Sequence, residues 1–451
     1  MMGNISTNPP SGMRDFSGKE LAARRYIEKI IREVYELYGF IEIETPAIEN
    51  LSTLLGKYGE EGDQLIFRIL HRREKLSRAL EGKPSEADLA DIGLRYDLTV
   101  PLARFVANNK DLPKFFRRYQ IQSVWRADRP GKGRFREFCQ CDIDITGTES
   151  LTAEAEVCGA VSGVLKRVGL EDFYFHVNHR QLLKRMIAYS GISDSLEETA
   201  LVALDKLDKI GTDGVVKELR ERNISDESTK KLIELTSSVA EDNHAELERL
   251  RKIFAADEIA LKCISELADI LAFTSTSESG KRLKIDCSLA RGLGYYTGPI
   301  FEIRVHDLKG SLGGGGRYDN LIGMFKGSRI PAVGFSIGFE RLILLAEERK
   351  LLPDLMPGAD ILLCRFPDVE ISKALEVADH FRNNGIKAEV YPDATKLGKQ
   401  LSYATEIKAS YAGIIGADEL KDNKITIKRL SDGEQLTLPL CDAPGKVKAG
   451  K

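Results

Sequence analysis

The sequence predicts an α+β protein. An antiparallel-rich sheet domain covers residues 1–180 and 272–352, a helical insertion spans 181–271, and a C-terminal α/β domain spans 358–445. Three observations carry this reading. Segments rich in β-branched and aromatic residues bunch together with long, uneven connections, unlike a regular βαβ array. From about Arg180 to Leu271 the chain is rich in Leu, Glu, Lys and Ala and has no strand pattern. After Leu352-Pro353 and Pro357-Gly358 it alternates strand, helix, strand, helix, strand, the mark of a small parallel or mixed sheet.

From Glu20 to Tyr38, Ile27, Ile30, Ile31, Val34, Leu37 and Tyr38 recur with helical period, and Gly39 suits the left-handed residue that ends a helix. Phe40–Thr45 then alternates as a half-buried strand closed by Pro46. Further strands are expected at Phe115–Trp125, Glu137–Thr146, Phe173–Val177, Tyr296–Val305 and Pro331–Ile337, with helices at Ser150–Val168 and Gly338–Lys350. The insertion reads as helices at Thr199–Ile210, Asp213–Arg222 and Asp226–Val239. In the last domain, strands are expected at Ile361–Phe366, Lys387–Tyr391, Ala412–Ile415, Lys424–Leu430 and Gln435–Leu438. Helices Val369–Asn383 and Lys396–Ala409 lie between the first three, and the closing CDAPGKVKAGK reads as a frayed tail.

Composition narrows the function classes. The chain has 451 residues, 42% hydrophobic and 30% charged, a balance that excludes wholesale disorder and supports several packed domains. No window approaches the uncharged apolar run of a membrane span. The polar start MMGNISTNPPSGMRDF lacks the core of a secretory signal. Seven cysteines without repeated spacing argue for reduced thiols and a cytoplasmic protein. Net charge is −3, yet Asn108–Phe138 holds nine Lys/Arg against three acidic residues, which points to a local anionic ligand.

The common phosphate-binding loops are missing. No Gly-Lys is followed by Ser or Thr, so there is no Walker A loop. Gly292-Leu293-Gly294 misses the dinucleotide spacing, and Gly313–Gly316 lacks the strand–turn–helix setting. Cys139-x-Cys141 is too tight for a zinc pair and has no second pair, so no metal is expected on the cysteines. A triphosphate bound here would need arginines and divalent ions.

Three stretches resemble the three signature motifs of class II aminoacyl-tRNA synthetases. They are Gly39-Phe40-Ile41-Glu42-Ile43-Glu44-Thr45-Pro46; Trp125-Arg126-Ala127-Asp128-Arg129-Pro130 with its glycine-bearing loop to Phe138; and Gly334-Phe335-Ser336-Ile337-Gly338-Phe339-Glu340-Arg341. Leu289–Gly298 (LARGLGYYTG), Gly315-Gly316-Arg317-Tyr318-Asp319, Leu94–Thr99 (LRYDLT) and Phe138–Asp144 (FCQCDID) narrow the likeness to the histidyl-tRNA synthetase family. The likeness runs over nearly the whole chain.

The resemblance implies a class II catalytic domain and an anticodon-binding last domain. The implied activity joins L-histidine to ATP, with Mg2+, as an adenylate, and then to tRNA(His). It also implies a homodimer, because the first motif forms the subunit interface in this class. Arg126 and Arg291 would flank the α-phosphate, with Arg341 on the far phosphates. A guanidinium suits this work because it stays charged and forks onto phosphate oxygens. Asp144 and Tyr296, with Tyr318 nearby, would address the imidazole nitrogens; Asp97 and Thr99 the α-amino group; and Gln140 the carboxylate. Arg129, Lys132 and Arg134 are the implied contacts with the tRNA acceptor end. A pocket built on hydrogen bonds rejects analogues that lack them, so no editing site is expected in the insertion. One departure stands out: Gly294 occupies a position where the family usually carries aspartate. The alternatives are a catalytically inactive paralogue regulating histidine biosynthesis and an RNA-sensing module. The paralogue lacks the last domain and usually the arginine matching Arg291, and the sensor would be expected to lose Arg126 and Arg341; all of these are present.

Overall fold

The computed structural model describes residues 6–131, 133–237, 240–291, 294–355 and 358–449. They form two compact units. The first comprises Arg24–Leu352 with the chain up to Asp15; the second comprises Phe16–Ala23 with Pro353–Lys451.

The strands of the first unit, in chain order, are β1 (Ile41–Glu42), β2 (Ile48–Asn50), β3 (Arg68–Leu70), β4 (Ala90–Leu94), β5 (Phe116–Trp125), β6 (Glu137–Thr146), β7 (Phe173–His179), β8 (Leu283–Ile285), β9 (Pro299–Val305), β10 (Gly313–Arg317) and β11 (Ala332–Gly338). Eight build one sheet in the order β1-β5-β6-β11-β10-β9-β7-β8, and β2, β4 and β3 make a small second sheet. Only the outer pairs β1/β5 and β7/β8 of the large sheet are parallel, as the antiparallel-rich reading requires. The helix Gly18–Leu37 buries Ile27, Ile31 and Tyr35 in the core of this unit, and Gly39 beyond it takes φ +75°. The helix Thr152–Val168 buries Val157, Val161 and Leu165 in the same core.

The insertion forms helices Arg180–Tyr189, Glu197–Leu204, Leu207–Glu221 (kinked at Gly211), Asp226–Ser237, Asn243–Ile253 and Glu258–Thr274. Their apolar faces continue the sheet unit's core through Leu183, Leu204, Leu250 and Ile264.

In the second unit, β12 (Ile361–Arg365), β13 (Ala388–Val390), β14 (Tyr411–Ile415), β15 (Lys424–Arg429) and β16 (Gln435–Pro439) lie in the order β13-β12-β14-β15-β16. The β13/β12/β14 pairs are parallel and the rest antiparallel. Alternation along β12 feeds two cores: Ile361 and Leu363 pack with the helix Ile371–Asn383, while Leu362 and Cys364 pack with the helix Leu397–Glu406. A strand run with both faces covered reads as continuously apolar.

Two expectations are corrected. The tail is not frayed: Ala443–Ala449 is a helix, with Ala443 and Val447, four residues apart, buried in the core. The first-motif strand shrinks to Ile41–Glu42, both exposed. Ile43 N–H still donates to the Tyr119 carbonyl at 3.0 Å, and at Thr45 side chains take over, with its N–H donating to Gln122 and Arg95 donating to its carbonyl. Among the described residues, no helix is long and apolar enough to cross a membrane.

Candidate active site

The site begins with the two-residue period of β6. Cys139, Cys141, Ile143 and Ile145 point into the core, so Gln140, Asp142 and Asp144 share the opposite face. The neighbouring strands meet them in register. Arg118 of β5 and Gly334 of β11 flank Asp144, Gln120 and Ser336 flank Asp142, and Gln122 and Gly338 flank Gln140. This polar row forms one wall of a cavity of ≈ 840 Å³.

Arg126, Arg291 and Arg341 come from three distant stretches, and all three line that cavity. Arg126 follows β5; its Nε donates to the Tyr96 carbonyl at 3.1 Å, and its guanidinium lies over the rings of Tyr96 and Phe138 at 4.3 and 5.1 Å. Arg341, in the first turn of the helix Phe339–Glu348, donates to the Ser311 carbonyl at 2.5 Å. Burial lowers its pKa and the nearby Arg134 cation adds to that, opposed by Glu302. Arg291 lies 3.5 Å from Glu302, and its Nε is buried without a partner. Burial opposes its charge, but Tyr296, Glu302 and Asp205 more than offset this.

The glycines of β10 make room for this group. A Cβ on Gly314 would sit 1.7 Å from the Arg291 guanidinium. Across the sheet, a Cβ on Gly334 would sit 1.8 Å from Asp144 Oδ1. The run Gly313–Gly316, which lacks the setting of a phosphate loop and leads into the Gly315–Asp319 motif, is a central strand stripped of side chains so that functional groups can lie on it. A Cβ at Gly294 meets nothing within 4 Å, so the family's aspartate is missing from an open position.

Asp97, Thr99, Gln140, Asp144, Tyr296 and Tyr318 line the same cavity. Asp97 precedes the helix Thr99–Asn108; its Oδ1 accepts the Val100 N–H and the Tyr58 hydroxyl, both at 3.0 Å, and its Oδ2 is buried without a partner. Asp144 is 2.7 Å from the fully buried Arg118 and accepts a hydrogen bond from the Tyr318 hydroxyl. Burial raises both carboxyls above their ordinary range, opposed at Asp144 by Arg118 and Tyr318. Gln140 Nε2 donates to Ser336 Oγ at 3.0 Å, leaving a buried, unpartnered Oε1. A ligand carboxylate would need that amide turned over.

The second-motif loop closes on itself through mutual backbone bonds of Gly131 and Arg134, with Gly133 at φ +71°. Arg129 and Arg134 are exposed; Arg134 lines the cavity, whereas Arg129 does not. Lys132 lies outside the described residues. All seven cysteines are free thiols, and among the described residues no cluster of His, Cys, Asp or Glu could hold a metal.

Sequence reasoning missed Arg118, Asp142, Glu302 and Tyr58. Asp142 carried a usable signal, since it falls between Gln140 and Asp144 on one period-two face. Arg118 was hidden in a run of basic residues that includes the exposed Lys110, Lys114, Arg129 and Arg134.

Residues 12–342 match the family model described as Histidyl-tRNA synthetase, and residues 366–450 match Anticodon binding domain. A Histidine--tRNA ligase of Christiangramia forsetii is 41% identical, covering 97% of this chain and 98% of its own. One from Bacteroides fragilis is 42% identical, covering 94% and 95%. The crystal structure of histidyl-tRNA synthetase from Nostoc sp. PCC 7120 superposes with TM-score 0.80 at 32% identity, covering 99% of this chain and all of that one. A structure titled as an ATP phosphoribosyltransferase regulatory subunit/histidyl-tRNA synthetase, from Bacillus halodurans, shares the fold with TM-score 0.73 at 22% identity. With its arginines, its buried acceptor row and its two matched domains, the chain belongs to the histidyl-tRNA synthetase family.

Proposed function

We infer that the cavity activates L-histidine with ATP and that the charged product is transferred to the 3′ end of tRNA(His). An oxygen of the histidine carboxylate attacks the α-phosphorus, the bond to the bridging oxygen breaks, and pyrophosphate leaves. The 3′-terminal hydroxyl then attacks the histidyl carbonyl and AMP leaves. Two anions must meet in the first step, so positioned positive charge lowers the barrier most. Arg126 and Arg291 flank the α-phosphate, and Arg341, beside Arg134, receives the outer phosphates. Mg2+ enters on the triphosphate as part of that substrate.

Asp144, held by Arg118 and Tyr318, fixes one imidazole N–H, and Tyr296 reads the other ring nitrogen. Asp97 and Thr99 take the α-amino group, while Gln140 stands near the reacting carboxylate. Arg129, Lys132 and Arg134 face the acceptor end of the tRNA. The residues 181–271 act as an insertion on the catalytic domain, and 358–445 as the anticodon-reading domain. A cytoplasmic homodimer fits the reduced thiols and the exposure of Leu37 (79%), just before the first motif, and of Ile41 (55%) within it.

The observation that carries this reading is the convergence of Arg126, Arg291 and Arg341 on a cavity walled by buried acceptors. The presence of Arg291 and of an anticodon-binding domain favours the enzyme over the inactive paralogue. ATP–pyrophosphate exchange measured with each of the twenty amino acids tests it. Exchange with histidine alone is expected; exchange with none would revive the regulatory reading.

A further inference from the structure

Asp142 has no part in the roles assigned so far, yet it is 3% exposed and lines the same cavity between Gln140 and Asp144. Its Oδ1 is buried without a partner, as are Asp97 Oδ2 and Gln140 Oε1. Asp142 lies close enough to Asp97 and Asp144 for their charges to disfavour its own. The carboxylate of Asp144 is already engaged by Arg118 and Tyr318, and the amide nitrogen of Gln140 by Ser336. These three acceptor atoms of the cavity lining are therefore left without a hydrogen-bond partner.

Three unpartnered acceptors in the lining of one cavity match a group with three N–H donors and a positive charge. An alkylammonium supplies both, an imidazole supplies fewer donors, and a carboxylate supplies none. Position along the strand agrees. Asp142 is one two-residue step, about 7 Å, from Asp144, comparable to the span from the imidazole to the α-nitrogen of a single histidine.

We propose that Asp142, together with Asp97 and Gln140 Oε1, forms the seat of the substrate's α-ammonium, and that Asp142 makes the pocket selective for histidine-like ligands carrying a free cationic amino group. The proposal rests on the placement of histidine inferred above. The ammonium adds to Arg118 in offsetting the repulsion between Asp97 and Asp142. A neutral or des-amino ligand leaves both acceptors desolvated and unpaired, and is rejected for that reason.

The test compares wild type with Asp142→Asn by calorimetric titration of histidine, histidinol and 3-(imidazol-4-yl)propionate, the last lacking the amino group. Affinity for histidine and histidinol is expected to fall about 10- to 100-fold, while that for the des-amino acid changes less than about twofold. In pyrophosphate exchange the histidine KM rises far more than kcat falls. Equal losses for all three ligands, or no loss for histidine, would overturn the proposal. Asp142→Ser, which removes the charge without adding an amide donor, repeats the comparison should the Asn variant fail to fold. Asp144→Asn separates this inference from the placement beneath it. If it leaves every affinity unchanged, histidine does not lie along this strand; if it weakens all three ligands while Asp142→Asn weakens none, only the ammonium seat is wrong.

Discussion

Arg291 shows how a single side chain is prepared for a reacting anion. It is set among Tyr296, Glu302 and Asp205, which keep it charged despite burial, and its Nε has no protein partner to give up. Arg291→Ala should retain histidine binding and lose about 10²–10³-fold in adenylate formation, measured by single-turnover activation. An unchanged rate would remove it from the reaction. Asp142 makes a second prediction, in pH. Burial pushes its carboxyl up to about 7, with Asp144 and Asp97 adding to the rise and Arg118 and the Ser336 hydroxyl opposing it; Tyr35, Cys141, Tyr296 and Tyr318 are further titratable groups near it. Because the folded-state pKa is raised, the free protein binds this proton more tightly when folded. The resulting stabilisation is complete below the unfolded carboxyl's range and is lost as pH rises through about 7. Asp142→Asn should therefore flatten the fall of Tm between pH 5 and pH 8, leaving the variant about 2 °C above wild type at the upper end. Melting curves in the absence of histidine decide it; parallel curves for the two proteins would refute it.

At the scale of elements, the bare strand β10 is the least conventional part of the sheet. Its glycines let Arg291 lie where side chains would normally stand, so a methyl group should act at a distance on chemistry. Gly314→Ala is expected to lower pyrophosphate exchange by a hundredfold or more with the fold retained, since the Cβ displaces the Arg291 guanidinium; wild-type exchange would show that the arginine has room to move. The strand was not legible beforehand, because four glycines carry no β propensity and no period. What could be read was what period and residue type encode: Glu137–Thr146 was placed to the residue, and the helix Gly18–Leu37 within two residues of Glu20–Tyr38. The missed C-terminal helix has the same origin as β10. Seven residues with three buried side chains are too few to show a period. The three arginines were found by resemblance, and only the fold brings them together; no local rule links positions 126, 291 and 341.

For the whole molecule, division of labour follows from the separate cores. The cavity and every residue assigned to activation belong to the unit ending at Leu352. The second unit has its own two apolar cores on either side of a mixed sheet, and it includes Phe16–Ala23, the first turn and a half of the helix Gly18–Leu37. A chain ending at Leu352 keeps the cavity and its buried ion pairs, among them Arg317 with Glu154 and Arg24 with Glu340. It loses the domain matched to anticodon binding and leaves Phe16–Ala23 without the rest of its unit. Histidine-dependent pyrophosphate exchange by that truncated chain should stay within about tenfold of the full protein, since uncovering the first turn of one helix is a local change. Aminoacylation of tRNA(His) at limiting tRNA should fall by a hundredfold or more, because a second contact tethered to the first raises avidity by about 10²–10⁴. The two assays on one preparation make the comparison internal. Equal losses in both would mean that the second unit supports the catalytic cavity itself, and unchanged charging would mean that the acceptor end alone carries recognition.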